Sequence, residues 1–328
     1  MASPVTRALG AAALAGAGAL AWGTLVESRW YTLREVTVPV LPPGGDPLRV
    51  LHLSDLHLTP GQHRKVDWVR DLASLRPDLV VDTGDNWAHV EAMPALLHAL
   101  EPHLATPGAF VWGSNDFFAP TPKNPARYLL PDARVTRDEP PRELPWRELG
   151  RRFTSAGWVD LTNRRDVVEV AGRRISLVGT DDAHLDRDRF PAAGGPDDVR
   201  PAPVRDDAGV LRRDERSAPE VDLHLGVTHA PYRRVLDAMH ADGADLVLAG
   251  HTHGGQLAVP GYGALVTNCD LDRGRAKGLH GWPGARPDAL DGSGSTWLHV
   301  SGGLGTSPYA PVRFACRPEA TLLTLVAV

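Results

Sequence analysis

The chain has 328 residues, 42% of them hydrophobic, enough to bury a large core in one big domain or two ordinary ones. A formal charge of −5 and a pI near 6.3 exclude the global basic field of a nucleic-acid binder, so nucleic acid is not the default partner. Cys269 and Cys316 are too few for a disulfide framework and lack the spacing of a thiolate metal site.

Ala8 to Val26 carries no charge and comes close to the roughly 20 residues that cross a bilayer. Three readings stand: a membrane anchor within residues 1–32, a cleaved signal peptide with an Ala17-Gly18-Ala19 site, and a buried helix. The anchor is carried forward as a single N-terminal membrane helix. The side of the membrane stays open, because Arg7 precedes the span and Arg29 and Arg34 follow it. A chain beginning near Arg34 is then expected to be soluble and active, with residues 33–328 as one domain.

Leu33 to Leu41 reads as a first strand, and the Pro42-Pro43-Gly44-Gly45 turn leads to the apolar strand Val50 to Leu53. That strand runs into Asp55 and His57, two positions apart and therefore on the same side of an extended chain. Val66, Val69, Leu72 and Leu75 recur at helical spacing before Pro77, and Leu79 to Thr83 reads as a buried parallel strand that delivers Gly84-Asp85-Asn86. A second helix carries Met93, Leu96, Leu97 and Leu100, and the strand Ala109 to Trp112 ends at Gly113-Ser114-Asn115-Asp116. This β-α-β-α-β order winds a parallel sheet.

Residues 119–145 are rich in proline and charge and read as a surface insertion; residues 186–220 read as a second. Between them come a helix through Phe153, a strand near Val167 to Val170, and the strand Arg174 to Gly179, which delivers Asp181 and Asp182. The strand Val221 to Val227 ends at Thr228-His229, a helix with Tyr232, Val235, Leu236 and Met239 follows, and Asp245 to Ala249 ends at Gly250-His251-Thr252-His253. Strands around Trp297 to Val300 and Thr321 to Val328 complete the chain.

Asp55, His57, Asp85, Asn115, His229, His251 and His253 thus all fall just beyond the C-terminal ends of predicted strands, the edge where an open α/β sheet binds ligands. Each has a bland alternative as a turn or capping residue. Together they form a set of nitrogen and oxygen donors that suits divalent manganese, iron or zinc.

The set Asp55-Leu56-His57, Gly84-Asp85-Asn86, Gly113-Ser114-Asn115-Asp116, Thr228-His229 and Gly250-His251-Thr252-His253 resembles the calcineurin-like metallophosphoesterase superfamily. The apolar N-terminus and the tail from Gly303-Leu304-Gly305 to Arg317-Pro318-Glu319 are similar to its bacterial membrane-associated YkuE-like branch. The resemblance implies an α/β fold, a four-layer sandwich of two mixed β-sheets flanked by helices, with two divalent metal ions at one edge. It puts Asp55, His57 and His253 on one metal, Asn115, His229 and His251 on the other, and Asp85 between them. It also implies hydrolysis of phosphate esters by a metal-bridging hydroxide. The expected substrate is a phosphodiester or pyrophosphate in a lipid-linked or envelope compound. Two other readings are a phosphomonoesterase and a metal-binding module without turnover.

One departure matters. The family shows Gly-Asn-His-Asp or Gly-Asn-His-Glu, in which Asn binds metal and His protonates the leaving group, where this chain has Gly113-Ser114-Asn115-Asp116. Without a gap, Ser114 replaces the ligand and Asn115 the acid. Shifted by one, Asn115 is the ligand and Asp116 takes the place of the acid, and this register is preferred because a serine hydroxyl is a poor ligand. The alternatives for Asp116 are a turn aspartate bonding the loop backbone, with either an acid from elsewhere such as His184 or no acid at all.

Overall fold

A computed structural model describes residues 3–122, 124, 141–192, 221–306 and 308–328, together with the backbone of 204–205 and 211–212. The two expected insertions therefore lie largely outside the described residues.

In chain order the elements are α1 (Pro4–Leu25), β1 (Thr32–Leu41), β2 (Leu48–Leu53), α2 (His63–Asp71), β3 (Leu79–Asp82), α3 (Met93–Leu100), β4 (Gly108–Phe110) and the single turn α4 (Ser114–Phe117). Next come α5 (Trp146–Ser155), β5 (Val159–Asp160), β6 (Arg165–Val170), β7 (Arg173–Gly179), a small β8–β9 hairpin (Val204–Arg205, Leu211–Arg212) and β10 (Leu223–Thr228). The rest are α6 (Arg233–Ala241), β11 (Leu246–Ala249), a β12–β13 hairpin (Ala258–Val259, Gly263–Ala264), β14 (Gly278–Trp282), β15 (Thr296–Val300) and β16 (Glu319–Ala327).

Two six-stranded mixed sheets carry the fold, in the orders β1-β16-β2-β3-β4-β5 and β14-β15-β11-β10-β7-β6. In the first, β2 to β5 run parallel while β16 runs antiparallel to β2 and parallel to β1. In the second, β7, β10, β11 and β15 run parallel, with antiparallel β6 and β14 at the edges.

Strand alternation explains why the sheets stack. Leu48 and Val50 of β2, Leu79 and Val81 of β3, and Leu323 and Leu325 of β16 face the second sheet, where Leu223, Leu225, Leu246 and Leu248 meet them. The intervening Leu51, Leu53, Val80 and Leu322 point outward under Val66 and Val69 of α2, Leu96 and Leu100 of α3, and Phe153 of α5. On the far side Val247, Leu298 and Val300 pack beneath Val235, Leu236 and Met239 of α6. Strands covered on both faces read as unbroken apolar runs, as these do. The result is the expected four-layer α/β sandwich.

The sheets also share a polar contact. His52 on β2 lies 3.0 Å from His299 on β15, Nδ1 to Nδ1, and its Nε2 is 2.9 Å from the Thr83 hydroxyl. Both histidines are buried, and burial holds both well below the usual histidine range. The α1 helix stands apart, with Gly23 its only buried residue. The span Pro4–Arg29 has a mean hydropathy of 1.6, long and apolar enough to cross a membrane; a signal sequence has the same length and composition.

Candidate metal centre

The parallel strands of both sheets end at the same edge, and each ligand candidate follows one of those ends. Asp55 and His57 follow β2, Asp85 follows β3, Asn115 lies past β4, His229 follows β10, and His251 and His253 follow β11. Five of these seven have positive φ: Asp55 50°, His57 41°, Asp85 57°, His251 69° and His253 50°. The left-handed region costs on the order of 1–3 kcal/mol for a non-glycine residue, so five cases at one edge mark a functional site. The strand exits bend sharply, and this turns the side chains toward one point.

Two overlapping clusters result. Asp55, His57 and His253 have donor atoms within 4.8 Å of one another, as do Asp55, Asp85 and His229. Asp85 Oδ2 lies 3.4 Å from His57 Nε2 and 3.6 Å from His229 Nε2, and His253 Nε2 lies 3.5 Å from Asp55 Oδ1. Asn115 donates from Nδ2 to Asp85 Oδ2 at 2.7 Å, and from its backbone N–H to Asp85 Oδ1 at 2.7 Å. Ser114 Oγ sits 3.4 Å from the same Asn115 nitrogen. His251 stands one ring further out, its centroid 5.2 Å from that of His229.

Neighbouring groups leave ligand atoms pointing inward. His229 Nδ1 donates to Thr83 O at 2.7 Å, which orients the ring and turns Nε2 toward Asp85. His251 Nε2 is 3.0 Å from Asn268 O, an arrangement that leaves Nδ1 as the basic atom. Asp55 Oδ2 accepts the Ser54 hydroxyl at 2.6 Å and the His251 N–H at 2.9 Å. Asp55 Oδ1 and His229 Nε2 are buried and have no hydrogen-bond partner. Buried polar atoms are rarely left so, and these are the atoms that would hold a cation.

The charge balance fits a cation too. Burial pushes Asp55 up to about 6, Asp82 to about 8, Asp116 to about 7 and Asp182 to about 7. Burial alone would lower His229, yet the Asp85, Asp55 and Asp182 carboxylates carry it to about 9. A proton on His229 thus answers negative charge that divalent ions would offset instead. Burial keeps His57 at about 4 and His251 and His253 well below their usual range, and the neutral imidazole is the form that binds metal. Glycine makes the crowding feasible. A Cβ at Gly250 would collide with Ser54 Oγ and lie 2.7 Å from Asp55 Oδ2, and one at Gly113 would lie 2.7 Å from His229.

Asp116 sits elsewhere. It is wholly buried, and its oxygens accept the N–H groups of Asp85 at 2.7 Å, Asn86 at 2.9 Å and Gly113 at 2.9 Å. It therefore ties the β3 and β4 exit loops together from beneath, as a turn aspartate does. His184 lies beside the centre, its ring 4.6 Å from that of His251 and its Nδ1 3.1 Å from the Tyr232 hydroxyl.

The pattern of the strands did not reveal two buried cations near the site. Lys65 donates to Leu56 O at 2.8 Å, and burial beside Arg313 lowers it to about 7. Arg313, in the glycine-rich tail, lies 3.3 Å from His253 Nδ1. A sequence signal for it existed only in the Gly302-Gly303 run upstream, whose carbonyls it reaches.

Residues 48–255 match the family model of the calcineurin-like phosphoesterases. Phosphodiesterase YaeI of Escherichia coli (strain K12) is 25% identical, over 96% of this chain and 96% of that protein. The uncharacterized metallophosphoesterase YkuE of Bacillus subtilis (strain 168) is 25% identical over 97% and 93%, and YkoQ, an uncharacterized metallophosphoesterase of the same strain, is 26% identical over 85% and 84%. With the matched segment covering all seven ligand candidates, the chain belongs to the calcineurin-like phosphoesterase family and is a metal-dependent hydrolase of phosphoric esters.

Proposed function

We propose that this hydrolase is a dinuclear-metal phosphodiesterase, with Asp55, His57 and His253 holding one ion, Asn115, His229 and His251 the other, and Asp85 shared. The observation that carries the reading is the pair of orphaned buried atoms, Asp55 Oδ1 and His229 Nε2, gathered with the Asp85 carboxylate. When bound, a pair of manganese, iron or zinc ions supplies an activated water nucleophile and neutralises phosphate oxygens. The chain's own residues set the geometry. Thr83 O orients His229, Ser54 orients Asp55, and Asp116 fixes the loops that present Asp85 and Asn115. His184, held by Tyr232 beside His251, donates the proton to the departing oxygen in place of the missing loop histidine.

A diester substrate is favoured by the name of the Escherichia coli relative. A phosphodiester or pyrophosphate in a lipid or envelope compound is favoured by the apolar α1 helix, read as an anchor. Purified full-length protein in detergent is expected to hold two divalent ions per chain, to lose activity to a chelator, and to cleave bis(p-nitrophenyl) phosphate faster than p-nitrophenyl phosphate. The reverse order would make it a phosphomonoesterase. Absence of metal-dependent turnover of either ester would leave a binding module.

Localisation is tested separately. Full-length protein is expected to sediment with membranes and to resist alkaline carbonate, as a spanning helix does. Recovery in the soluble fraction, or a mature N-terminus near Ala21, would reject the anchor.

A further inference from the structure

The foot of the α1 helix is built into the domain, close to the metal centre. Arg313 donates its backbone N–H to Gly23 O at 3.2 Å. A Cβ at Gly23 would stand 2.6 Å from Arg313 O, so helix and loop meet backbone to backbone. Just beyond the helix, Glu27 is buried at 5% exposure. Its Oε1 accepts the Cys316 N–H at 2.6 Å and its Oε2 accepts the Trp22 indole N–H at 3.0 Å. A buried carboxylate with both oxygens engaged is a fixed point, since losing either bond would leave a costly unpaired group.

The segment so fixed bears most directly on the Asp55 and His253 side of the centre. The Arg313 side chain is wholly buried, and its Nη2 donates to Gly302 O at 2.8 Å, Gly303 O at 3.0 Å and Gly305 O at 2.7 Å. That turn lies directly on the exit of β2, where Gly305 N–H donates to Asp55 O at 2.6 Å and Leu304 N–H to Ser54 O at 3.1 Å. The same guanidinium reaches His253, with Nη1 3.3 Å from its carbonyl and Nη2 3.3 Å from its Nδ1. Cys316 Sγ adds a bond to His253 O at 3.2 Å. Asp55 and His253 are thereby joined through one arginine. Of the other ligand candidates, Asn115 rests on Asp85 and His229 on Thr83, while His251 rests on Asn268 through its ring and on Asp55 through its N–H.

We infer that Glu27, at the foot of α1, is a positioning residue for the Asp55–His57–His253 metal site, acting through Cys316 and Arg313. The inference rests on the dinuclear reading above. Seating of the helix and filling of this site are then coupled, and the helix is more than a detachable tether. A chain starting near Arg34 lacks Gly23 and Glu27 and loses the coupling along with the anchor.

The test uses the full chain in detergent, titrated with manganese and followed by elemental analysis and electron paramagnetic resonance. Wild type is expected to fill two positions and show the spin-coupled signal of paired ions. Glu27→Ala is expected to weaken one ion by about 10- to 100-fold, the usual cost of removing a group that orients a ligand, with the other ion bound as tightly as before. The coupled signal then gives way to that of a single ion. Glu27→Gln, which keeps an acceptor for the Cys316 N–H, should recover most of the loss, and Gly23→Val, which forces the helix off Arg313, should reproduce it should Glu27→Ala fail to fold. Two ions bound equally tightly in wild type, Glu27→Ala and Gly23→Val overturn the inference alone, as does parallel weakening of both ions without rescue by Glu27→Gln. Fewer than two ions in wild type removes the dinuclear reading, and this inference with it.

Discussion

Replacing Asp85 by Asn is expected to empty both metal positions at once and to slow hydrolysis on the order of 10³-fold or more, the scale set by losing a group that acts on transition-state charge. The carboxylate serves two directions. Oδ1 accepts the Asn115 backbone N–H at 2.7 Å, while Oδ2 faces His57 Nε2 at 3.4 Å and His229 Nε2 at 3.6 Å. An amide has one oxygen and cannot do both. Either its NH₂ group confronts the Asn115 N–H, or it confronts the cations, and the shared negative charge is gone in both cases. Elemental analysis of the purified variant decides the matter: retention of one tightly held ion would contradict the shared role. In metal-free protein the same change should lower the pKa of His229 from about 9, because the Asp85 carboxylate is the largest influence holding it up against burial. A histidine titration followed by NMR reads that shift directly.

Much of this arrangement was legible in the chain, for a physical reason. A strand buried on both faces is mostly apolar, and the polar groups within it must pair, as His52 and His299 do, so unpaired donors and acceptors gather where the strands end. Asp55, Asp85, His229 and His251 therefore stand out at the close of apolar runs. The parallel order of β2, β3 and β4 follows from alternating strands and helices, whereas the four-layer sandwich came from the family resemblance. What stayed hidden depends on contacts between distant segments. β1 lies parallel to β16, which closes the first sheet by joining the two ends of the chain, and nothing local in either strand encodes that pairing. β14, written Gly-Leu-His-Gly-Trp, has two glycines and no alternation, so it carries no strand signature, yet it pairs with β15 through backbone bonds alone. Arg313 lies within the tail that resembles the YkuE-like branch, but that resemblance assigns it no role. Its importance arises from carbonyls of the 302–305 turn, which only the fold brings to it.

Asp116 illustrates the same limit. On a single turn of helix, neighbouring side chains point about 100° apart, so Asn115 and Asp116 cannot both face the metals. The residue types at 114–116 do not say which one turns inward. In the structure Asp85, Asn86 and Gly113 all direct N–H groups at the Asp116 carboxylate, which supports the reading with Asn115 as the ligand.

Separating the two candidate acids gives the second large effect. A general acid contributes about 10²- to 10⁴-fold, and chiefly when the departing oxygen is strongly basic. p-Nitrophenolate leaves readily unprotonated, whereas an alkoxide does not. His184→Gln is therefore expected to slow unactivated alkyl diesters by about 10²- to 10⁴-fold and bis(p-nitrophenyl) phosphate far less. Glutamine retains polarity next to Tyr232 and His251, so the fold and both ions should persist. Asp116→Asn should behave differently. It replaces one acceptor oxygen of the loop clamp with a donor facing backbone N–H groups, leaving buried donors unpaired at about 1–3 kcal/mol each. The variant should melt at lower temperature and lose activity toward both esters alike, because Asp85 and Asn115 lose their support. Rates for the two esters, measured at saturating metal on both variants, separate the roles. Equal losses in His184→Gln would reject it as the acid, and a selective loss on alkyl esters in Asp116→Asn would restore that carboxyl to the role.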